Sequence, residues 1–237
     1  RACSFEFRGA ALELQSVRGG ECVIAGPSET GKTVAALWFL HWIALTYPGA
    51  RLSILRKIQA EVYGTVLETF KERILRERDK VFAYGVTAYG GEKPEWFDYP
   101  NGSRVYVGGL NNPGKHLSGE FDYMYVNQAE QLTSEDWQTL TTRTTGRAGH
   151  TPFSGLLGDA NPGPPSHFIL DRAKKGHLRV LYSRHEDNPR LHDGDKWTPA
   201  GVETLSRLDK LEGVFRDRLR YGMWVSAEGA VYEFNRS

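Results

Sequence analysis

The sequence predicts an α/β fold, with a mainly parallel central sheet flanked by helices and built around a phosphate loop. Three observations carry this. Residues 26–33, "GPSETGKT", read G-x-x-x-x-G-K-T. An apolar strand (22–25) precedes that loop and a strongly apolar helix follows it, which is the order such a loop requires. Further apolar strands at 51–57, 123–126 and around 155–158 are separated by helical or loop stretches, the alternation of a parallel sheet.

The elements follow in order. In the loop, Gly26 and Gly31 let backbone N–H groups turn inward, with Pro27, Ser28, Glu29 and Thr30 between them. The next helix contributes its N-terminal partial charge. Lys32 can reach β and γ phosphates, and the Thr33 hydroxyl can ligate magnesium. Residues 34–47 are apolar on nearly every face, so this helix is expected against the sheet and beneath a neighbour. Pro48 and Gly49 end it. "RLSILRK" reads as the next parallel strand. Residues 60–80 have a helical pattern, with Val62, Val66, Phe70 and Ile74 on one stripe and a charged tail. "EWFDYPNGSRVYVGGL" reads as a hairpin turning at Asn101 and Gly102.

Lys115 and His116 lie in a polar loop just before the strand "YMYV". That strand gives way abruptly to Asn127, Gln128 and Glu130. Thr133 and Asp136 form a capping-box pattern, so a helix starts there, and Arg143 and Arg147 flank its end. The strand in "FSGLLGDANPGPP" ends in Asp159 and Asn161. Residues just past strand C-termini line the crevice of a parallel sheet, so 26–33, 127–130 and 159–161 should converge. His185, Glu186 and Asp187 are consecutive and cannot face one site, so they are not read as a metal site.

The 237 residues allow one sizeable core, or a core with a small appendage. A division into a 1–190 core and a 191–237 lid or linker of two amphipathic helices and a strand fits the change of character after Asn188. A formal net charge of +1 does not announce a nucleic-acid partner, which would need a local basic patch. Cys3 and Cys22 form no metal pattern, and Cys22 sits in an apolar run, as expected of a buried free thiol in a reducing compartment. No run reaches the roughly 18 apolar residues of a membrane span. The chain does not begin with Met and stops soon after an apolar stretch, as expected of a piece of a larger protein.

The blocks "FEFRGAALEL", "GPSETGKT", "ILRK", "GGLNNPGKHLSGEFDYMYVNQAEQLT", "TTRTTGRAG", "GDANPGPPSHFI" and "SRHEDNPRL" occur in one order over nearly the whole chain. Together they resemble the ATPase domain of the large terminase subunit of tailed bacteriophages. The resemblance implies an ASCE-type P-loop ATPase using ATP and Mg2+, assembled as a homo-oligomeric ring on the viral portal protein. It also implies double-stranded DNA and the small terminase subunit as partners, and the host cell cytoplasm as location. The end from "GAVYEF" resembles the approach to the family's nuclease domain, so nuclease activity is not expected of this chain.

The family's second nucleotide motif ends its strand with a magnesium-holding acid and a water-polarising glutamate. Here amides stand first, and some relatives share the "NQAE" wording. The carry-over makes Glu130 the base, with Asn127 or Gln128 at the magnesium shell, directly or through water. Asp122 lies at the far end of the strand, about 16 Å away at ~3.3 Å per residue, and cannot substitute. Asn161, in the block matching the coupling motif, can address the γ-phosphate or the attacking water; an Asx turn before Pro162 is the other reading. The family uses a trans-acting arginine, for which Arg143 and Arg147 are available, and Arg8 is placed near the nucleotide. Competing readings are another P-loop enzyme, such as a helicase or nucleic-acid kinase, and a non-catalytic nucleotide-gated assembly module.

Overall fold

The computed structural model describes residues 5–78, 81–111, 119–149 and 151–227. One sheet runs through it. Its strands are β1 (Gly20–Ala25), β2 (Arg51–Arg56), β3 (Thr87–Tyr89), β4 (Trp96–Asp98), β5 (Arg104–Gly109), β6 (Tyr123–Val126), β7 (Gly155–Ala160) and β8 (Leu178–Tyr182), in the order β3-β4-β5-β2-β6-β7-β1-β8. From β5 to β8 every pairing is parallel; β3 and β4 add an antiparallel edge. β2 is parallel to β1 but not beside it, because β6 and β7 are inserted between them. That insertion sets the loops after β6, β7 and β1 side by side.

The central strands are apolar without alternation because both faces are covered. Cys22 and Ile24 of β1 enter one core, with Leu52, Ile54, Tyr123, Tyr125 and Leu157. Val23 and Ala25 enter the other, with Leu55, Met124, Val126 and Leu156. The first core is closed by α1 (Gly9–Leu14) and α2 (Lys32–Thr46), the second by α5 (Ser134–Thr141) and α6 (Phe168–Lys174). His41 interrupts the apolar α2, and its Nδ1 lies 2.8 Å from the buried Tyr99 hydroxyl. Burial pushes that imidazole down to about 4, so it stays neutral. Burial likewise raises the free Cys22 thiol to about 12, leaving it inert. Cys3 lies outside the described residues.

The continuous helix expected over 60–80 is broken. It comprises α3 (Ala60–Tyr63), α4 (Val66–Thr69) and a π-helical turn over Phe70–Ile74. The stripe Val62, Val66, Phe70 and Ile74 is nevertheless buried. The break has a local cause. Gly64 is a poor helix former, and the Thr65 hydroxyl donates to Glu61 O at 2.5 Å, competing with the backbone ladder. Thr65 itself has φ −137° and ψ −93°.

The hairpin forms from β4 and β5, with Gly102 at φ +83° in its loop. Thr133 and Asp136 make the capping box at the start of α5. Beyond the sheet lie α7 (Pro199–Asp209) and α8 (Gly213–Leu219). The strand expected near the C-terminus falls outside the described residues. Among the described residues no helix is long and apolar enough to cross a membrane.

Gly158 governs how the turn after β6 seats on the sheet. A Cβ there would lie 2.8 Å from Ala129 Cβ and 3.3 Å from the Trp137 ring. Gly158→Ala is therefore expected to overpack this contact and lower stability by about 1–3 kcal/mol, read as a lower denaturant midpoint with an unchanged slope.

Candidate nucleotide site

β1 delivers the loop 26–33 to the N-terminus of α2, where Gly31 caps the helix at φ +87°. Gly26 must lack a side chain, since a Cβ would meet Ser183 O at 2.4 Å. The loop is held from outside. His185 donates from Nε2 to Ser28 O (2.9 Å), Asn188 Nδ2 to Glu29 O (2.7 Å), and Ser28 N–H to Leu219 O (3.0 Å). Glu29, left-handed at φ +64°, accepts from Thr204 (3.1 Å) and Arg207 of α7. Thus 185–187 has a structural employment: His185 braces the loop, and Asp187 caps its own turn by accepting from Arg184 N–H at 2.9 Å.

The loop opens into a cleft of about 820 Å³ lined also by Arg56, Asn127, Gln128, Glu130, Asp159 and Asn161. Lys32 Nζ donates to Gly26 O (3.0 Å) and Pro27 O, and to Asn161 Oδ1 at 3.3 Å. Burial pushes Lys32 down to about 8, against the pull of Asp159 and Glu130; it remains a cation at neutral pH. The other end of the Asn161 amide donates from Nδ2 to Glu130 Oε1 at 3.2 Å. Asn161 therefore joins the phosphate-loop lysine to the glutamate.

Glu130 sits in a 3-10 turn (Ala129–Gln131) that begins because Gln128 adopts a left-handed conformation, φ 56° and ψ 55°. That kink bends the chain back over β7, and His167 Nε2 anchors Glu130 O at 3.1 Å. Glu130 Oε2 is buried without a partner among the described residues. Burial, then the negative charge of Asp159, raises the carboxyl to about 7. Such a group accepts a proton readily at neutral pH.

Asp159 is a buried hub. It accepts from the Thr33 hydroxyl at 2.5 Å, from Asn127 Nδ2 at 3.0 and 3.1 Å, and from Gln128 N–H at 2.8 Å. Gln128 turns its amide oxygen to Arg56 and to Gln131 Nε2 (2.7 Å). Arg56, 4% exposed, ends β2 and also donates to Thr65 Oγ1 (2.9 Å) and Glu61 O (3.2 Å). Sequence reasoning placed Asp159 in the crevice without giving it a role, and passed over Arg56. The signal for each was its position at the C-terminal end of an apolar parallel strand.

Arg8, Arg143 and Arg147 do not line the cleft of their own chain. Arg8 spends its guanidinium on Glu6 (2.7 Å) and on the carbonyls of His192 (2.9 Å) and Asp193 (3.3 Å), while Phe5 and Phe7 of its segment line the cleft. Arg147 is exposed and pairs with Glu120 at 2.6 Å. Arg143 lines a separate cavity of about 190 Å³ with Leu55, Leu110 and Met124. Lys115 and His116 fall outside the described residues. Among the described residues no three His, Cys, Asp or Glu side chains gather into a metal cage. A hydroxyl beside one carboxylate at the phosphate loop is the donor set that suits magnesium arriving with a nucleotide, since that ion keeps few protein ligands.

Residues 23–237 match the family model "Terminase large subunit, T4likevirus-type, N-terminal". The chain belongs to this family. Its fold is that of solved large terminases. The large terminase of the thermophilic bacteriophage D6E in complex with ADP superposes with a TM-score of 0.72 at 20% identity, covering 96% of this chain and 56% of that one. The ATPase domain of the Thermus phage P74-26 large terminase gives 0.64 at 13% identity, covering 93% and 95%. The HK97 bacteriophage large terminase gives 0.58 at 12%, covering 85% and 45%. This terminase chain thus spans little more than half of the D6E protein. No curated protein matches it.

The Glu130 carboxyl gives a stability prediction. Its folded value of about 7 lies above the ordinary 4.5, so the folded state binds the extra proton between these values. Stability contributed at low pH is then lost as pH rises from about 4.5 to about 7. The difference in unfolding midpoint between the parent and Glu130→Gln should fall across that window. A difference that stays flat with pH would show that Glu130 is not held protonated.

Proposed function

We propose that this chain is the ATP-hydrolysing motor domain of a viral DNA-packaging terminase, coupling hydrolysis to translocation of double-stranded DNA into the procapsid. The observation that carries the hydrolase reading is the pair made by Glu130 and Lys32 through Asn161, with one Glu130 oxygen unpartnered in the cleft. The D6E structures described as complexes with ADP and with ATP-gamma-S support nucleotide binding in this fold.

The residues divide the work. Loop N–H groups and the α2 N-terminus receive phosphate oxygens. Lys32 leaves the loop carbonyls it now caps and meets the charge that develops on the transferred phosphoryl group. Glu130 Oε2 orients a water and takes its proton as that water attacks the γ-phosphorus, with ADP leaving. Asn161 holds the carboxylate in place and registers loss of the γ-phosphate through Lys32. A bound magnesium ion would supply charge neutralisation, with the Thr33 hydroxyl among the groups that hold it. Arg56 lines this cleft beside Gln128, as Arg73 and Arg190 also line it, so charge-stabilising arginines are available in cis as well as from a neighbouring subunit. DNA, the portal protein, the small subunit, a ring of copies and the host cytoplasm are proposals that rest on the family.

Phosphate release, measured with and without double-stranded DNA, tests the reading. Lys32→Ala should abolish turnover and weaken ATP binding. Glu130→Gln should leave ATP binding within a few fold and lower turnover by ~10²–10⁴-fold. Turnover by the parent should rise with pH through about 7 as Glu130 deprotonates. Tight ATP binding with no phosphate release, even at high protein concentration with DNA, would favour a nucleotide-gated assembly module.

A further inference from the structure

We propose that the metal-holding carboxylate of this site is Asp159, so that the acid has moved one strand over, from β6 to β7. The inference rests on the nucleotide-hydrolase reading above and concerns how this chain meets the cation. β6 ends in two amides, Asn127 and Gln128, and neither carries the charge a magnesium ion demands.

The register shows where the charge went. Val126 pairs with Gly158 and Ile24 with Asp159, so Asp159 stands between the polar end of β6 and the last turn of β1 before the phosphate loop. It is 3% exposed, and its oxygens accept from the Thr33 hydroxyl, the Asn127 amide and the Gln128 N–H. Donors on several sides hold the carboxylate in one orientation. Thr33 is the phosphate-loop hydroxyl that addresses the cation, and its 2.5 Å bond to Asp159 places hydroxyl and carboxylate at one point. Among the described residues Asp159 forms no ion pair within 4.0 Å, so an arriving cation meets a buried carboxylate already aimed at it.

The other acids are placed differently. Asp122 accepts from Arg51 N–H (2.8 Å) and Gly149 N–H (3.1 Å) at the opposite end of β6. Glu130 Oε1 is engaged by Asn161. The contact between Asn127 and Asp159 is an amide–carboxylate pair across adjacent strands, so exchanging the two residues would return the acid to β6 and keep the pair.

The test uses the whole chain and a fluorescent ATP analogue, titrated in Mg2+ and in EDTA, with Mn2+ binding to the ADP complex followed by electron paramagnetic resonance. The parent should bind the analogue more tightly with Mg2+. Asp159→Asn should lose that gain and weaken Mn2+ binding by roughly 10-fold or more, at least what loss of an outer-shell partner costs. Its affinity in EDTA should not fall. The exchange variant Asn127→Asp with Asp159→Asn should recover the metal response, which also answers a poorly folded single variant. An Asp159→Asn protein that keeps the parent's metal response, or an exchange variant that fails to recover it, overturns the proposal. A parent that binds no nucleotide with or without metal overturns the hydrolase reading, and this proposal with it.

Discussion

The site depends on one buried carboxylate. Asp159 draws the Thr33 hydroxyl from α2, the Asn127 side chain and the Gln128 N–H from the loop after β6, and holds them around the end of β7. A carboxyl group at 3% exposure is tolerable only with its lone pairs filled, so these donors are fixed as strongly as the acid is. The kink at Gln128 follows, since its N–H must point at Asp159 while its side chain reaches Arg56. From that kink comes the turn that returns Glu130 to Asn161. The three segments that make the chemistry are thereby one hydrogen-bonded unit.

A second set of contacts acts on the same loop from outside. Glu29 is engaged by α7, Ser28 N–H by the end of α8, and Glu29 O by Asn188. Residues far along the chain therefore set the shape of a loop near its beginning. The loop's carbonyls are meanwhile capped by Lys32, which must turn from them toward a phosphate. The network has two sides, one facing the cleft and one facing the C-terminal helices, with the 26–33 backbone between them.

Much of the fold was legible because the signals are local and repeated. The G-x-x-x-x-G-K-T loop, the all-apolar strands and the Thr133–Asp136 capping box each state their own conformation within a few residues. The broken helix after β2 was less legible: the stripe from Val62 to Ile74 is helical in period, but Gly64 and the Thr65 hydroxyl decide the backbone between. The partners of Arg8 and Arg147 within the chain were not legible either, because a long charged side chain goes where its acceptors are. Arg8 found carbonyls at His192 and Asp193, and Arg147 found Glu120.

The sequence by itself determined that a phosphate loop follows β1, that two further strands end in polar residues at the same edge of a parallel sheet, and that a glutamate stands shortly after two amides. It did so because strand period, glycine placement and capping chemistry are short-range. Only the tertiary structure decided which strand lies beside which. The insertion of β6 and β7 between β2 and β1 is what brings Asp159 against Thr33 and sets Arg56 against Gln128, pairs separated by 126 and 72 residues along the chain. No local pattern encodes those neighbours, because strand order is chosen by burial of whole faces against helices, and the polar contacts at the strand ends follow from it.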